Sequence, residues 1–100
     1  MIIPKKIKVG GTEYSVEKVP GIPDRLMGDC NYAATIIRLA ETIDSITTSS
    51  ESMRSTFFHE LTHAILAEMG SELNSNEEFV QTISTFINQI CVQLIDYNNA

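Results

Sequence analysis

Basic residues are scarce in this sequence, in which seven Lys and Arg stand against thirteen Asp and Glu for a net charge of −6. A protein that binds a nucleic-acid backbone needs clustered basic side chains to displace counterions. The only local group is Lys5, Lys6 and Lys8, which is more simply a solvated strand edge whose charges oppose pairing with another strand. We therefore expect no nucleic-acid partner.

Cysteines and long apolar runs are also scarce. Cys30 and Cys91 lie far apart and belong to no CxxC-type pattern, so two isolated buried thiols are expected. The first residues lack the apolar core of a secretory signal, and no stretch reaches the roughly 18 apolar residues that a membrane span requires. These absences predict a cytoplasmic protein with no membrane partner.

Length and composition predict one compact domain over residues 1–100. Hydrophobic residues make up 43% of the chain and charged residues 20%, which is typical of a globular protein with a core. A chain of this length buries about two thirds of its unfolded surface. There is no room for a second module.

The first half of the sequence predicts a small β-sheet. Ile7–Val9 and Tyr14–Val19 are rich in β-formers, and the two glycines between them predict a hairpin. Gly28–Tyr32 favours a further short strand. Thr35–Ala40 also fits a helical stripe, but its β-branched start favours a strand.

The second half predicts two helices. Thr48 and Glu51 form a capping box at the start of a helix that runs to Met69, and Gly70 follows as a left-handed C-terminal residue. The expected fold class is therefore α+β, with a small N-terminal sheet packed on two α-helices.

The second helix is expected to open at another capping box, formed by Ser75 and Glu78. Its apolar residues recur at helical spacing and form one stripe. These residues are Phe79, Ile83, Phe86, Ile87, Ile90 and Leu94. Asp96 to Ala100 is expected to be a frayed tail.

One motif carries recognisable chemistry, His59-Glu60-Leu61-Thr62-His63. The histidines are four residues apart on the first expected helix, so both imidazoles can reach one metal ion. Glu60 lies beside them, where a carboxylate can take a proton from a zinc-activated water. If the composition were shuffled, the chain's two histidines would form this pattern in roughly 0.2% of arrangements by counting. Ordinary helix histidines beside a solvated glutamate are the alternative, but they would need hydrogen-bond partners on an apolar helix.

A catalytic zinc site takes three protein ligands. No third histidine exists, so either the third ligand is a carboxylate or the site is incomplete. Glu68 is rotated away from the two histidines, and Glu72 falls in the connecting loop. Glu77 and Glu78 open the second helix, which can pack across the first. Because Glu78 already has a predicted capping role, Glu77 is the preferred ligand, and Glu78 stays open as the alternative.

Several polar residues are candidates for supporting roles. Gln81 and Ser84, in the second helix, could orient the imidazoles. Tyr14, Tyr32 and Arg38 are conceivable donors to a developing oxyanion. A buried tyrosine or a solvated arginine explains each of these three more simply, so none is assigned.

These residues resemble a known family. His59-Glu60-Leu61-Thr62-His63-Ala64-Ile65 is similar to the active-site helix of zincin metallopeptidases, and Asn76-Glu77-Glu78-Phe79 resembles the start of the glutamate-ligand helix of the gluzincin branch. In layout the chain resembles the very small metallopeptidases of phages and prophages, and more distantly the ImmA/IrrE group.

The resemblance implies a minimal zincin-like fold with the metal between the two helices. It implies that His59, His63 and Glu77 hold Zn²⁺ and that Glu60 is general base and proton shuttle. It also implies that a peptide or protein substrate adds as an extra strand to an edge near Thr35–Leu39.

The expected function is that of a zinc-dependent metallopeptidase. The alternative is a non-catalytic zinc-binding domain, or a phage regulatory protein-interaction domain, that retains the motif. A metal-free domain that forms an oligomer through the apolar face from Phe79 to Leu94 is a further alternative.

Overall fold

The N-terminal hairpin forms where β-formers alternate with polar residues. In the computed structural model, which describes residues 1–98, strand β1 is Lys6–Val9 and strand β2 is Thr12–Val19. Gly10 in the turn has a φ of 61°, a left-handed conformation that glycine adopts without steric cost. The predicted hairpin is confirmed.

Two further strands complete the main sheet. Strand β3 is Gly28–Asn31 and strand β4 is Ile36–Ala40, which confirms both predicted strands. The order in the sheet is β1-β2-β4-β3, with β4 parallel to β2 and antiparallel to β3. Strand β4 is therefore an interior strand, and β3 is an edge.

A second, short hairpin follows that was not predicted from the sequence. Strand β5, Thr42–Ile43, pairs antiparallel with strand β6, Ile46–Thr47. Asp44 and Ser45 between them have φ values of 51° and 67°. Two consecutive positive φ values are typical of the tight turns that join such strands.

Helix α1 is Ser50–Glu68 and ends close to the predicted boundary. The predicted cap at Thr48 is wrong, because the Ser49 hydroxyl accepts a hydrogen bond from the Ser52 N–H at 3.1 Å. The helix therefore begins one residue later. Both residues favour the N-cap position, so composition alone does not choose between them.

Helix α2 is Glu77–Asn98, and a 3-10 helix at Glu72–Ser75, here called the connector, joins it to α1. The predicted cap at Ser75 is wrong, because its hydroxyl bonds within the connector. Asn76 Oδ1 instead accepts from the Phe79 N–H at 3.0 Å. The predicted frayed tail is also wrong for residues 96–98, which are helical; residues 99 and 100 lie outside the described part of the chain.

The apolar stripe predicted for α2 does not coincide with the face that the helix buries. Ile87 of the stripe packs against the core, but the buried Val80 and the core-packed Cys91 lie outside the stripe. The exposed members of the stripe, each more than half accessible, are Phe86, Ile90 and Leu94.

Helix α1 is the central element of the fold. It packs on β3 and β4 on one side and on α2 on the other. The largest side chains that are almost fully buried lie in the core around α1 and the sheet: Tyr14, Ile37, Leu39 and Phe57. The α+β architecture predicted from the sequence is confirmed. Within residues 1–98, neither long helix is apolar enough to cross a bilayer.

Candidate metal centre

The two histidines of the motif lie one turn apart on α1, on the side that packs against α2. Their ring centroids are 5.0 Å apart. Their side chains are 21% and 10% exposed for His59 and His63 respectively. The two imidazoles are therefore partly withdrawn from solvent without being sealed.

Glu77, the first residue of α2, brings a carboxylate to both imidazoles. Its Oε2 lies 3.2 Å from His59 Nε2, and its Oε1 lies 3.0 Å from His63 Nε2. Among the described residues, these three side chains form a group whose potential ligand atoms all lie within 4.8 Å of one another. Glu78, the alternative, does not belong to this group.

The other ring nitrogen of each histidine faces a side-chain amide. His59 Nδ1 is 3.0 Å from Gln81 Oε1, as the position of Gln81 one turn beyond Glu77 had suggested. His63 Nδ1 is 2.7 Å from Asn74 Oδ1. Sequence reasoning missed Asn74, which lies in the connector three residues before Glu77 and not in α2. Ser84, the other candidate, is buried and donates to its own helix at Gln81 O.

This arrangement of polar atoms could hold a metal ion. If each imidazole carries its proton on the nitrogen that faces the amide oxygen, both Nε2 lone pairs are directed at the oxygens of Glu77. Facing lone pairs repel unless a proton or a cation lies between them. A tetrahedral zinc ion with bonds of 2.0–2.1 Å needs donor atoms about 3.3 Å apart. The separations between nitrogen and oxygen are 3.2 Å from His59 to Oε2 and 3.0 Å from His63 to Oε1, and the potential ligand atoms of the three residues lie within 4.8 Å of one another, so small side-chain rotations bring them to that spacing.

Glu60 lies on the neighbouring side of α1 and is only 8% exposed. Burial raises the pKa of its carboxyl above the usual range, the imidazoles of His59 and His63 oppose the shift, and Asp29 and Glu77 add to it. Glu60 also lines a cleft of about 380 Å³ between the start of β3 and α1. The carboxylate that the motif predicts as a base thus borders a space into which a ligand can enter.

Of the three conceivable oxyanion donors, two are buried or paired elsewhere, and the third contacts a residue that faces a histidine. Tyr14 is 1% exposed in the core, and the Arg38 guanidinium is engaged by both carboxylate oxygens of Asp29. The Tyr32 hydroxyl, in contrast, contacts Asn74, the residue that faces His63.

The edge strand implied by the resemblance is wrong. Strand β4, which contains most of Thr35–Leu39, is paired with β2 on one side and β3 on the other, so its backbone hydrogen-bonding groups are already used. The edge beside the motif is β3, and Gly28 at its start lines the same cleft as His59 and Glu60.

Comparisons of the chain with protein-family models, with curated proteins and with solved structures each gave no match. The functional proposal therefore depends on the motif and on the geometry of the candidate metal centre.

Proposed function

We propose that the protein is a zinc-dependent metallopeptidase of the zincin type. The observation that carries the proposal is the convergence of His59 Nε2, His63 Nε2 and the Glu77 carboxylate at 3.0–3.2 Å, with Glu60 buried beside them. Two imidazoles and one glutamate are a known ligand set of catalytic zinc, and such sites keep a position open for water.

Zinc is the proposed metal because the donor set is two nitrogens and a carboxylate. Mg²⁺ and Ca²⁺ favour sites made of oxygen alone, and imidazole suits zinc and other late first-row metals. A zinc ion held there supplies Lewis-acid activation of water and of a peptide carbonyl.

The side chains of this chain then have separate tasks. His59, His63 and Glu77 hold the metal, while Glu60 accepts a proton from the attacking water and returns it to the leaving amine. A peptide or protein substrate pairs with the edge of β3, which borders the same cleft.

The test of catalysis is Glu60→Gln, measured as cleavage of a peptide mixture by mass spectrometry. Cleavage is expected to fall about 10²–10⁴-fold, because the amide cannot accept the proton, while the zinc content stays that of wild type. Unchanged cleavage would remove Glu60 from the mechanism.

The test of the ligand set is the metal content of Glu77→Gln beside Glu78→Gln, two variants of equal charge change in adjacent positions. Only Glu77→Gln is expected to lose zinc, because Glu78 is not part of the histidine group. Loss of zinc from the Glu78 variant alone would mean that Glu78, and not Glu77, is the third ligand.

A second candidate function, formation of an oligomer through the apolar face of α2, is favoured by the exposed part of that helix. Phe86, Ile90 and Leu94 are more than half exposed, and residues 79–95 contain no Asp, Glu, Lys or Arg. Two copies that meet along this uncharged face place no like-charged side chains from residues 79–95 against each other. Light scattering tests this candidate function. The wild-type protein is expected to be an oligomer, and Leu94→Lys is expected to dissociate it. A wild-type monomer at high concentration would contradict this function.

Both cysteines are free. Free thiols are usual in a reducing compartment, and we propose the cytoplasm as the location.

A further inference from the structure

Two side-chain amides face the proposed histidine ligands, and their orientation controls what the histidines can bind. Asn74 Oδ1 faces His63, and Gln81 Oε1 faces His59. An amide rotated by 180° would present its NH₂ group instead, and the imidazole would then carry its proton on Nε2. A metal could not take that nitrogen without a change of tautomer.

Thr85 fixes the orientation of Gln81. The Thr85 hydroxyl donates its only proton to the Gln81 backbone carbonyl oxygen at 2.7 Å. Its oxygen can therefore only accept from a further partner, and Gln81 Nε2 lies 3.3 Å from it. With its NH₂ group bound to Thr85, Gln81 presents Oε1 to His59.

Tyr32 has the equivalent position at Asn74. Asn74 Nδ2 donates to the Tyr32 hydroxyl oxygen at 3.2 Å, whereas Asn74 Oδ1 is 3.5 Å from the same atom. The shorter contact is the N–H donation, and Oδ1 makes its close contact, 2.7 Å, with His63 Nδ1. Tyr32 follows directly after β3, so the edge of the sheet and the connector are linked to the same imidazole.

We propose that Asn74 and Gln81 are positioning residues that hold both histidines in the tautomer with the proton on Nδ1, and that Tyr32 and Thr85 fix the two amides. Both Nε2 lone pairs are then free to bind a metal. In the metal-free protein the Glu77 side chain, which is 69% exposed, can turn towards water, and this relieves the repulsion between its oxygens and these lone pairs. The inference rests on the proposed metal site, but it concerns the metal-free protein and makes no use of turnover.

The decisive measurement is the tautomer of each histidine in metal-free protein, read from imidazole ¹⁵N chemical shifts at a pH where the rings are neutral. In wild type both protons are expected on Nδ1. Asn74→Leu removes the acceptor and is expected to move the His63 proton to Nε2, where it can donate to Glu77. Asn74→Asp keeps an oxygen acceptor and is expected to restore the wild-type tautomer.

His59 is the internal control of this experiment, because Gln81 still holds it in the Asn74 variants. A wild-type His63 with its proton on Nε2 would overturn the proposal. So would an Asn74→Leu protein in which His63 is unchanged. Expected tautomers in a protein that hydrolyses no peptide would support this inference and contradict the proposed function, so the two are separable.

Zinc affinity, measured by competition with a chromophoric chelator, is the second readout. Asn74→Leu is expected to weaken zinc binding about 10–100-fold, and Asn74→Asp to retain it. Tyr32→Phe, which frees the amide to rotate, is expected to have a smaller effect in the same direction. Asn88→Leu is the matched control, because Asn88 accepts a hydrogen bond from Arg54 between the same two helices at 3.2 Å. Equal losses in Asn74→Leu and Asn88→Leu would mean that helix packing, and not the tautomer, is responsible, and would refute the proposal.

Discussion

Gly28 opens β3 where the strand passes against α1, and a side chain there would meet the helix. A Cβ atom at this position lies 2.5 Å from Thr56 Cγ2, 2.9 Å from the Arg38 backbone oxygen and 3.4 Å from Glu60 Cγ. Thr56 and Glu60 are four residues apart and so lie on the same side of α1. Gly28→Ala is therefore expected to push this turn of α1, with the proposed base, away from the sheet.

The magnitude follows from which atoms can move. Inserting a methyl group into a packed core costs about 1–3 kcal/mol, and the upper end applies because the Arg38 oxygen is backbone in an interior strand and cannot rotate away. Alanine also reduces the freedom of the unfolded chain, which offsets about 0.4–1 kcal/mol. The net loss is about 2 kcal/mol, which for a domain of this size lowers the melting temperature by about 8–16 °C.

Thermal unfolding followed by circular dichroism tests this value against Gly11→Ala, since a Cβ at Gly11 has nothing within 4 Å. The double variant Gly28→Ala/Thr56→Ser removes the nearest methyl group and is expected to recover part of the loss. It also keeps the Thr56 hydroxyl bond to Ser52 O, which is 2.9 Å long. If Gly28→Ala melts at the same temperature as Gly11→Ala, the argument from close packing is refuted.

Three further outcomes are expected. A chelator should lower the melting temperature of zinc-loaded wild type but not of Glu77→Gln; an equal effect on both would count against Glu77 as a ligand. Ser49→Ala should lower the free energy of unfolding, measured in urea, by about 1 kcal/mol. Thr48→Val should leave it unchanged, because the buried Thr48 hydroxyl lacks a hydrogen-bond partner within the described residues. A larger loss in the Thr48 variant than in the Ser49 variant would restore Thr48 as the cap. Burial raises the pKa of Cys30 to about 12. In the Cys91→Ser protein at pH 8, iodoacetamide should therefore modify Cys30 at least ~10-fold more slowly in the folded state than in the unfolded state. Similar rates in the two states would contradict this.

Local patterns were sufficient for most of the secondary structure, because burial imposes its period directly on the residues. Runs of β-forming residues on either side of two glycines predicted β1 and β2, and a capping box with a terminal glycine predicted α1. The caps were each displaced by one residue, from Thr48 to Ser49 and from Ser75 to Asn76. In both places two capable residues are adjacent, and the choice depends on backbone angles that composition does not contain.

The order of the strands in the sheet could not be predicted as well from the sequence, because an alternating pattern shows which face of a strand is buried but not which strands lie beside it. The resemblance implied an edge at Thr35–Leu39, but β4 lies in the interior of the sheet. One signal was present. Ile36-Ile37 and Leu39-Ala40 form an apolar run interrupted only by Arg38, and near-continuous apolar runs are typical of strands with a parallel neighbour.

The connector sets how α2 meets the two histidines. Because α1 and α2 are joined by a short turn, residues along them meet in reverse order, so His63 faces Asn74 and His59 faces Gln81. Glu77 lies between the two amides and reaches both imidazoles. Helical spacing of four residues places Gln81 on the same side of α2 as Glu77, whereas Asn74 belongs to the connector and is brought to His63 by the path of the connector.

This spacing also explains why Glu77, and not Glu78, approaches the histidines. Capping does not distinguish Glu77 from Glu78, because Asn76 caps α2 and Ser75 does not. The next residue of a helix is rotated by about 100°, which carries Glu78 off the histidine side. The sequence signal that separates the two glutamates is therefore the pair of amides three residues before and four residues after. Around Glu77 these positions hold asparagine and glutamine, whereas around Glu78 they hold Ser75 and Thr82, whose side chains end closer to the backbone.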